Sequence, residues 1–317
     1  MTLLANFLSK RLSIMIILLA IGTYFSPVYW DVAPWVPSLL LGMVIYFSGL
    51  SINIDSIQKV KLKKTELLFI TLLKWTFTVV LSFILALLFA SHHPELAAGL
   101  LLAGTVPSAT AATVYTFIAG GNAPLVVAAS LIDVAISPIM TPIAMMGLST
   151  QEVTISFLSL LQSFLLIVFL PLVFGIISQK LVPRFVSYSR TITKIGSSVA
   201  LLLVVHIIVG SGKLAISEEL LILPFVIAAT FIQVTLPMFI AYFVCKKMKM
   251  QEEDCRAALF QVSLCNSALA AILAYQFIGE LGVMAPILNM VFNLSIGAFI
   301  ANTFAKKFEK SLLEKAV

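Results

Sequence analysis

The sequence predicts an all-α integral membrane protein with ten transmembrane helices, arranged as two inverted five-helix repeats. Three observations predict it: an apolar composition, ten apolar stretches of spanning length, and basic residues confined to one side of the map those stretches define. Of the 317 residues, 61% are apolar and 11% are charged, and the mean hydropathy is +1.10. A soluble domain runs to about 45–50% apolar and about 25% charged. The composition therefore excludes a soluble enzyme, a nucleic-acid binder and a disordered chain. The three cysteines, Cys245, Cys255 and Cys265, show neither the even count of a disulfide framework nor the C-x-x-C spacing of a zinc site.

The apolar stretches lie at 11–30, 34–53, 67–91, 96–118, 123–146, 153–178, 195–211, 220–245, 256–278 and 282–305. Lys10 and Arg11 precede the first, as in a signal peptide, but no Ala-x-Ala cleavage site follows. The chain reads Tyr24-Phe25-Ser26-Pro27-Val28-Tyr29-Trp30 there, so span 1 is expected to be retained, with aromatic residues at the interface.

The basic residues test the map. Lys10 and Arg11, then Lys59, Lys61, Lys63 and Lys64, then Lys180, Arg184, Arg190 and Lys194, then Lys246, Lys247, Lys249 and Arg256, and finally Lys306, Lys307, Lys310 and Lys315 all fall on one side. Only Lys213 falls on the other, and only Lys74 inside a span. By the positive-inside rule the common side is the cytoplasm, with both termini there and the chain in the cell membrane. The net charge of +6 is then a topology signal and not a nucleic-acid footprint.

Tyr115-Thr116-Phe117-Ile118 resembles Tyr275-Gln276-Phe277-Ile278, and Ala123-Pro124 is followed later by Ala285-Pro286. The first repeat then covers 1–146, the second 153–305, and 306–317 is a cytoplasmic tail on a single integral unit. With five spans per half the repeats are inverted, a signature of transporters whose substrate site lies at the repeat interface. The repeat-related spans 4 and 9 are the irregular ones. Span 4 reads Gly104-Thr105-Val106-Pro107-Ser108-Ala109-Thr110-Ala111-Ala112-Thr113, and span 9 reads Gln261-Val262-Ser263-Leu264-Cys265-Asn266-Ser267-Ala268. Pro107 removes a helical donor and clashes with the preceding turn. Small polar residues satisfy the freed backbone, or else simply pack helices closely.

The same residues resemble the bile acid:sodium symporter family. Span 2 carries Met43 to Ile52 followed by Asp55, similar to the family's Met…Gly-Leu-x-Leu…Asp. Pro107 to Ala111 and Gly121-Asn122, Ser137-Pro138-Ile139-Met140-Thr141-Pro142, Asn266-Ser267-Ala268-Leu269-Ala270 and Asn293-Leu294-Ser295 follow in the family's order. The resemblance implies a panel domain and a core domain, broken spans 4 and 9 that cross at their unwound centres, alternating access, and a small organic anion as substrate. It places Thr110, Asn266, Ser267 and Asn293 at the substrate site. Helix N-termini at such a crossing suit a carboxylate; hydrogen bonding between helices is the structural alternative for each residue.

The departures from the family fall on its sodium ligands. Gln261 stands at the family's span-9 carboxylate and Cys265 at the glutamine before Asn-Ser. Ala112-Thr113 replaces a Ser-Asn pair, Val126 and Ser130 stand at two hydroxyl positions, and Lys74 lies at or next to a span-3 glutamine. Lys74 and Asp133 are the ionisable acid and base within the spans, at depths of about 10 and about 15 Å at 1.5 Å per residue. Such charges face a partner or a wet cavity. Lys74 is thus expected to be a tethered cation replacing sodium, paired with Asp133, Gln261 or a substrate carboxylate. The alternatives are a permanent structural pair with Asp133 and snorkelling to the surface. Lys74, Gln261, Asp133, Thr113 and Ser130 form the expected ion-coupling group, with sodium, proton and uncoupled transport all left open.

His206, in span 7, reads as a neutral histidine bonded to a neighbouring helix. His92-His93-Pro94-Glu95 lacks further ligands for a metal. No motif of an intramembrane protease or hydrolase occurs, so the chain is read as a carrier with no cofactor, surrounded by lipid. The alternatives are a sodium-coupled symporter of the ordinary family type and an efflux or exchange permease of a related ten-span family. Substrate, direction and oligomeric state are not encoded in these motifs.

Overall fold

The computed structural model of the chain describes residues 2–30, 32–33, 35–52, 63–148, 156–181 and 183–315. Asp55, Lys59 and Lys61 lie outside the described residues. Among the described residues the protein is all helical, without a β-strand; its one extended pairing is the isolated bridge between Ser108 and Cys265. The helices are α1 (Thr2–Phe25), α2 (Trp35–Ser51), α3 (Lys64–Leu87), α4 (Pro94–Thr105), α5 (Thr110–Ile118), α6 (Ala123–Met146), α7 (Phe157–Leu181), α8 (Pro183–Glu218), α9 (Leu223–Lys247), α10 (Glu252–Ser263), α11 (Ser267–Phe277) and α12 (Met284–Lys315). Among the described residues, six stretches, in α3, α6, α7, α8, α9 and α12, are long and apolar enough to cross a membrane. Parts of α1, α2 and α11 are shorter apolar helices.

Helix ends follow local chemistry. Proline opens the first turn of α4, α6 and α9, where its missing N–H is of no consequence. Asn122 caps α6 by accepting from Leu125 N at 3.1 Å. The helical parts extend beyond the apolar stretches: α1 begins at Thr2 and α8 runs from Pro183 to Glu218, because helix continues past the apolar segment.

Two packing groups result. Helices α1, α2, α7 and α8 pack mainly on one another, and α2 meets α7 at paired glycines. A Cβ on Gly175 would come within 2.3 Å of Tyr46 O, and one on Gly49 within 2.6 Å of Leu172 O, so the backbones touch there. The second group holds α3 to α6 and α9 to α12. Its most enclosed parts are α4, buried from Leu96 to Thr105, and α11, buried from Ser267 to Ala274.

Both irregular spans are broken where the sequence suggests. Helix α4 stops at Thr105, and Val106 is extended, as a residue before proline prefers. Helix α10 stops at Ser263 with Leu264 extended, although no proline stands there. The second break is held by partners. Ala109 N donates to Leu264 O and Asn266 N to Pro107 O, both at 2.8 Å, and the Asn266 side chain then caps α11 through Leu269 N at 3.2 Å. The half-helices pair across the break, α4 with α11 and α5 with α10.

A third irregularity has no sequence signal. Residues Lys74–Thr78 of α3 form a π-helical turn. The extra residue turns the adjacent Lys74 and Trp75 inward together, with Thr78 beside them, and all three are buried.

A polar crossing at the centre of the helices

Two polar clusters meet the crossing, one charged and one neutral. In the charged cluster the Lys74 side chain is 1% exposed and that of Asp133 is 0% exposed. Lys74 Nζ lies 3.5 Å from Asp133 Oδ2, donates to Val106 O at 3.1 Å, and faces Cys265 Sγ at 3.7 Å. This burial rules out snorkelling. Val106 is the C-cap of α4, and α10 ends on the same crossing. Two helix C-termini, each carrying partial negative charge, therefore converge near the ammonium group.

Asp133 accepts from three neutral donors besides. Trp75 Nε1 donates to Oδ1 at 2.8 Å, Gln261 Nε2 donates to Oδ2 at 2.9 Å, and Ser108 Oγ makes a short bond to Oδ2. Ser130 Oγ completes the group by donating to Gln261 Oε1 at 3.0 Å. Of the expected ion-coupling residues, Lys74, Asp133, Gln261 and Ser130 are thus brought together. Gln261 serves Asp133 and not Lys74, because its amide needs an acceptor for Nε2 and the carboxylate supplies one. Thr113 makes none of the hydrogen bonds that join this group; it lies on α5, beyond the break.

The neutral cluster continues along α3 and across to α12. Thr78 Oγ1 donates to Val262 O at 2.8 Å, and Ser82 Oγ to Thr78 O at 2.7 Å. Gln233 of α9 donates from Nε2 to Ser82 Oγ at 2.9 Å and to Leu100 O at 2.7 Å. Asn289 Nδ2 donates to Gln233 Oε1 at 3.0 Å, while Asn289 Oδ1 accepts from Ser267 Oγ at 2.6 Å and Asn293 Nδ2 at 2.7 Å. Asn293 Nδ2 also reaches Cys265 O at 3.0 Å and Ser267 Oγ at 2.8 Å. Gly104 lets α4 approach this line, since a Cβ there would fall 1.8 Å from Ser82 Oγ.

Ser267 and Asn293, expected at the substrate site, therefore sit together, buried against the crossing. Asn266 is half-buried and spends its Oδ1 on the α11 cap. Thr110 is exposed at the N-terminus of α5, a terminus that no side chain caps. Sequence reasoning missed Trp75, Ser108, Thr78, Ser82, Gln233 and Asn289. A glutamine or asparagine inside an apolar span was the available signal for the last two; Trp75 became visible only through the π turn.

A third polar group joins helix ends away from the crossing. Lys63 Nζ meets Asp254 Oδ2 at 2.5 Å and Gln251 Oε1 at 2.8 Å, and Asn122 Nδ2 donates to Asp254 Oδ1 at 2.7 Å. Arg256 donates to Ala119 O at 2.8 Å and to Glu252 Oε1 at 3.1 Å. Burial works against the Glu252 carboxylate, but the Tyr242 hydroxyl, Arg256 and Lys246 together outweigh it and hold this carboxyl below its ordinary value. In span 7, His206 Nδ1 lies 2.8 Å from Thr23 Oγ1 of α1, as expected for a histidine bonded to a neighbouring helix.

Residues 38–219 match the sodium bile acid symporter family. The chain is similar to the uncharacterized sodium-dependent transporter YocS of Bacillus subtilis, with 26% identity over 97% of this chain and 94% of that protein. It is 27% identical to the probable sodium/metabolite cotransporter BASS1, chloroplastic, of Arabidopsis thaliana, over 86% of this chain and 66% of that one. It is also 20% identical to the uncharacterized protein YbaS of Bacillus subtilis, over 89% and 92%.

Proposed function

The chain belongs to the sodium bile acid symporter family, and on that premise we propose that this transporter carries a small organic anion across the cell membrane by alternating access, with the Lys74 ammonium standing in for a bound sodium ion. The protein is a multi-pass membrane transporter and not an enzyme. The finer reading is a ten-helix carrier of two inverted repeats, α1 to α6 and α7 to α12, with α1, α2, α7 and α8 as the panel and the other helices as the core. Support comes from the two breaks, which fall at corresponding places in the halves and pair with each other. The confinement of the basic residues to one side of the span map supports cytoplasmic termini.

The anion site of this reading is the uncapped N-terminus of α5, with Thr110, Asn266, Ser267 and Asn293 around it. Free N–H groups and the positive end of the helix dipole suit a carboxylate. Thr110, Val114 and Phe117 form one helical face, and Val114 and Phe117 are 51% and 76% exposed. Helix α5 packs on α6, α10 and α12, whereas α11 is closed in by α2 and α8. This difference supports access from the α5 side, the cytoplasm in the proposed topology.

The observation that carries the sodium reading is the position of Lys74 Nζ among Val106 O, Asp133 and Cys265 Sγ, where helix C-termini call for a cation. A fixed charge there leaves no demand for a diffusible one. A second reading, sodium symport of the ordinary type, is favoured by the names of the relatives YocS and BASS1. Uptake of labelled pantothenate, pantoate and a bile acid into proteoliposomes, with sodium and proton gradients imposed separately, decides between them. The expected result is uptake indifferent to sodium in the wild type and altered ion dependence in Lys74→Gln. Sodium-driven uptake in the wild type would return the ion site to Gln261, Ser130 and Thr113. A response to the pH gradient would separate proton coupling from facilitated diffusion.

A further inference from the structure

The turn that joins α9 to α10 carries a lysine where glycine is favoured. Met250 N donates to Cys245 O at 3.1 Å and Lys249 N to Lys246 O at 3.0 Å. This pair of bonds closes a helix end through one residue in the left-handed region, which is glycine in most proteins. Here that residue is Lys249, with φ of 59°, and among the described residues it is the only one other than glycine with positive φ. A side chain with a Cβ is unfavourable in that conformation, and glycine is not. The turn has its own apolar anchor in Met250, which packs against the buried core beneath it. Lys249 itself is exposed and makes no hydrogen bond or ion pair among the described residues. The lysine is therefore kept against the preference of the backbone, and nothing within the fold uses its ammonium group.

Its surroundings show what the ammonium can meet. Lys247, also exposed and unpaired among the described residues, ends α9, and the exposed Phe243 and Phe239 lie four and eight residues before it on the same helical face. Lys64, exposed and unpaired likewise, opens α3, and the exposed Leu68 and Leu72 lie four and eight residues after it. Lys63 brings the two helix ends together, since its Nζ donates to Gln251 Oε1 of the turn at 2.8 Å. Each apolar stripe thus runs along a helix able to cross a membrane and stops, at the same end, on a free lysine. Glu252 and Asp254 do not neutralise these lysines, because Tyr242, Lys246 and Arg256 hold the first, and Lys63 and Asn122 the second. Glu253 is the exposed acid left beside the turn. An apolar stripe that ends in a cation is complementary to a molecule with an anionic head and apolar tails. We propose that Lys247, Lys249 and Lys64 form a docking surface for the head group of an anionic phospholipid, whose acyl chains lie along the two stripes. Lysines beside a bilayer attract anionic lipid in this way. The inference is independent of the substrate and ion readings, because this surface lies at the opposite end of α10 from the crossing.

Two lipids with equal chains test this on the purified full chain in detergent: dioleoyl phosphatidylglycerol, which is anionic, and dioleoyl phosphatidylcholine, which is zwitterionic. Occupancy is titrated by native mass spectrometry, and the ratio of affinities reads the head group alone. One lysine near an anionic lipid surface is worth about fivefold. The wild type should therefore prefer phosphatidylglycerol by about twentyfold or more, and Lys247→Gln and Lys249→Gln should each lower that preference about fivefold. Lys249→Gly has a second readout. Without added lipid it should unfold at the wild-type temperature or above, because glycine suits the turn. With phosphatidylglycerol its unfolding temperature should rise less than that of the wild type. Earlier unfolding without lipid would mean that the lysine serves the fold, and would overturn the proposal. Equal affinity of the wild type for the two lipids would overturn it as well. So would a preference unchanged in both glutamine variants, which would belong to the basic end of the protein as a whole. Inorganic phosphate should leave the unfolding temperature where it is; a rise equal to that with the lipid would assign the lysines to a free anion instead. The wild-type comparison needs no variant to fold.

Discussion

The charged and neutral clusters touch the same crossing but are finished differently. Around Asp133 both oxygens are occupied by three neutral donors and the lysine, and Lys74 has a carbonyl and a carboxylate in return. Around Asn293 the amide nitrogen has three acceptors in reach and the oxygen has none. A closed set of partners stabilises a fixed arrangement; an open one leaves a buried acceptor that has lost water and gained no donor. The comparison teaches that the satisfied charge and the unsatisfied acceptor are separated here. The buried ion pair lies where α4 and α10 end, and the unspent hydrogen-bonding capacity lies where α11 begins.

The largest expected effect comes from opening the closed cluster. Asp133→Asn leaves the Lys74 ammonium buried without a counter-charge, which should destabilise the protein by about 3–5 kcal/mol. Lys74→Met alone should do similar harm by stranding the carboxylate. The double variant removes both charges and should recover much of the loss, since a neutral pair of similar volume is often tolerated. Thermal unfolding of the four proteins in detergent gives the cycle. A double variant no better than the worse single would mean that Asp133 is held for Trp75, Ser108 and Gln261, and that the ion pair is incidental.

A smaller effect should follow from crowding the neutral cluster without touching its polar atoms. In Gly104→Ala the new Cβ would lie 1.8 Å from Ser82 Oγ and 3.0 Å from Gln233 Nε2. Ser82 must move, and α4 or α3 with it, so overpacking of about 1–3 kcal/mol is expected. The same substitution at Gly22, which has nothing within 4 Å of the added carbon, should leave stability nearly unchanged. If the two variants unfold at the same temperature, the close approach of α4 to the Ser82–Gln233 line does not govern packing there.

The sequence carried the charged cluster better than the neutral one, for a physical reason. An ion inside an apolar span is so unfavourable alone that depth along two helices brings Asp133 within reach of Lys74, as one of the partners the sequence leaves open beside Gln261 and a substrate carboxylate. Pro107 likewise announced the break between α4 and α5. The break at Leu264 was legible only through repeat position, because its cause is the bonds it makes to Pro107 and Ala109 on another span. Trp75 was not legible, since a tryptophan beside a buried lysine points elsewhere on an ordinary α-helix and reaches Asp133 only through the π turn. Gln233 and Asn289 were visible as amides, but their direction depends on Leu100 O and Cys265 O, which any residue could supply. Thr113, expected with the ions on family position, does not join them.

The smallest effect separates both central clusters from the polar group at the helix ends, and it is a matter of pH. Glu252 lies ahead of the apolar part of α10, and its carboxyl is held below the ordinary 4.5 because its bonds to Tyr242 and Arg256 and the nearby Lys246 outweigh the burial that opposes ionisation. A carboxyl lowered in the folded state contributes stability that is present above 4.5 and lost as pH falls through the folded value. The apparent unfolding temperature should therefore drop as pH falls below 4.5, and Glu252→Gln should flatten part of that slope while lowering stability slightly at neutral pH. With the side chain 33% exposed, the contribution is that of a screened pair, at most about 1 kcal/mol. The slope should also shrink in high salt, as partly exposed charges are screened, whereas the loss in Asp133→Asn should persist there because the crossing excludes ions. A salt-sensitive Asp133→Asn loss would place water and ions at the Lys74 pair, and the separation between a sealed charge and an open acceptor would no longer hold.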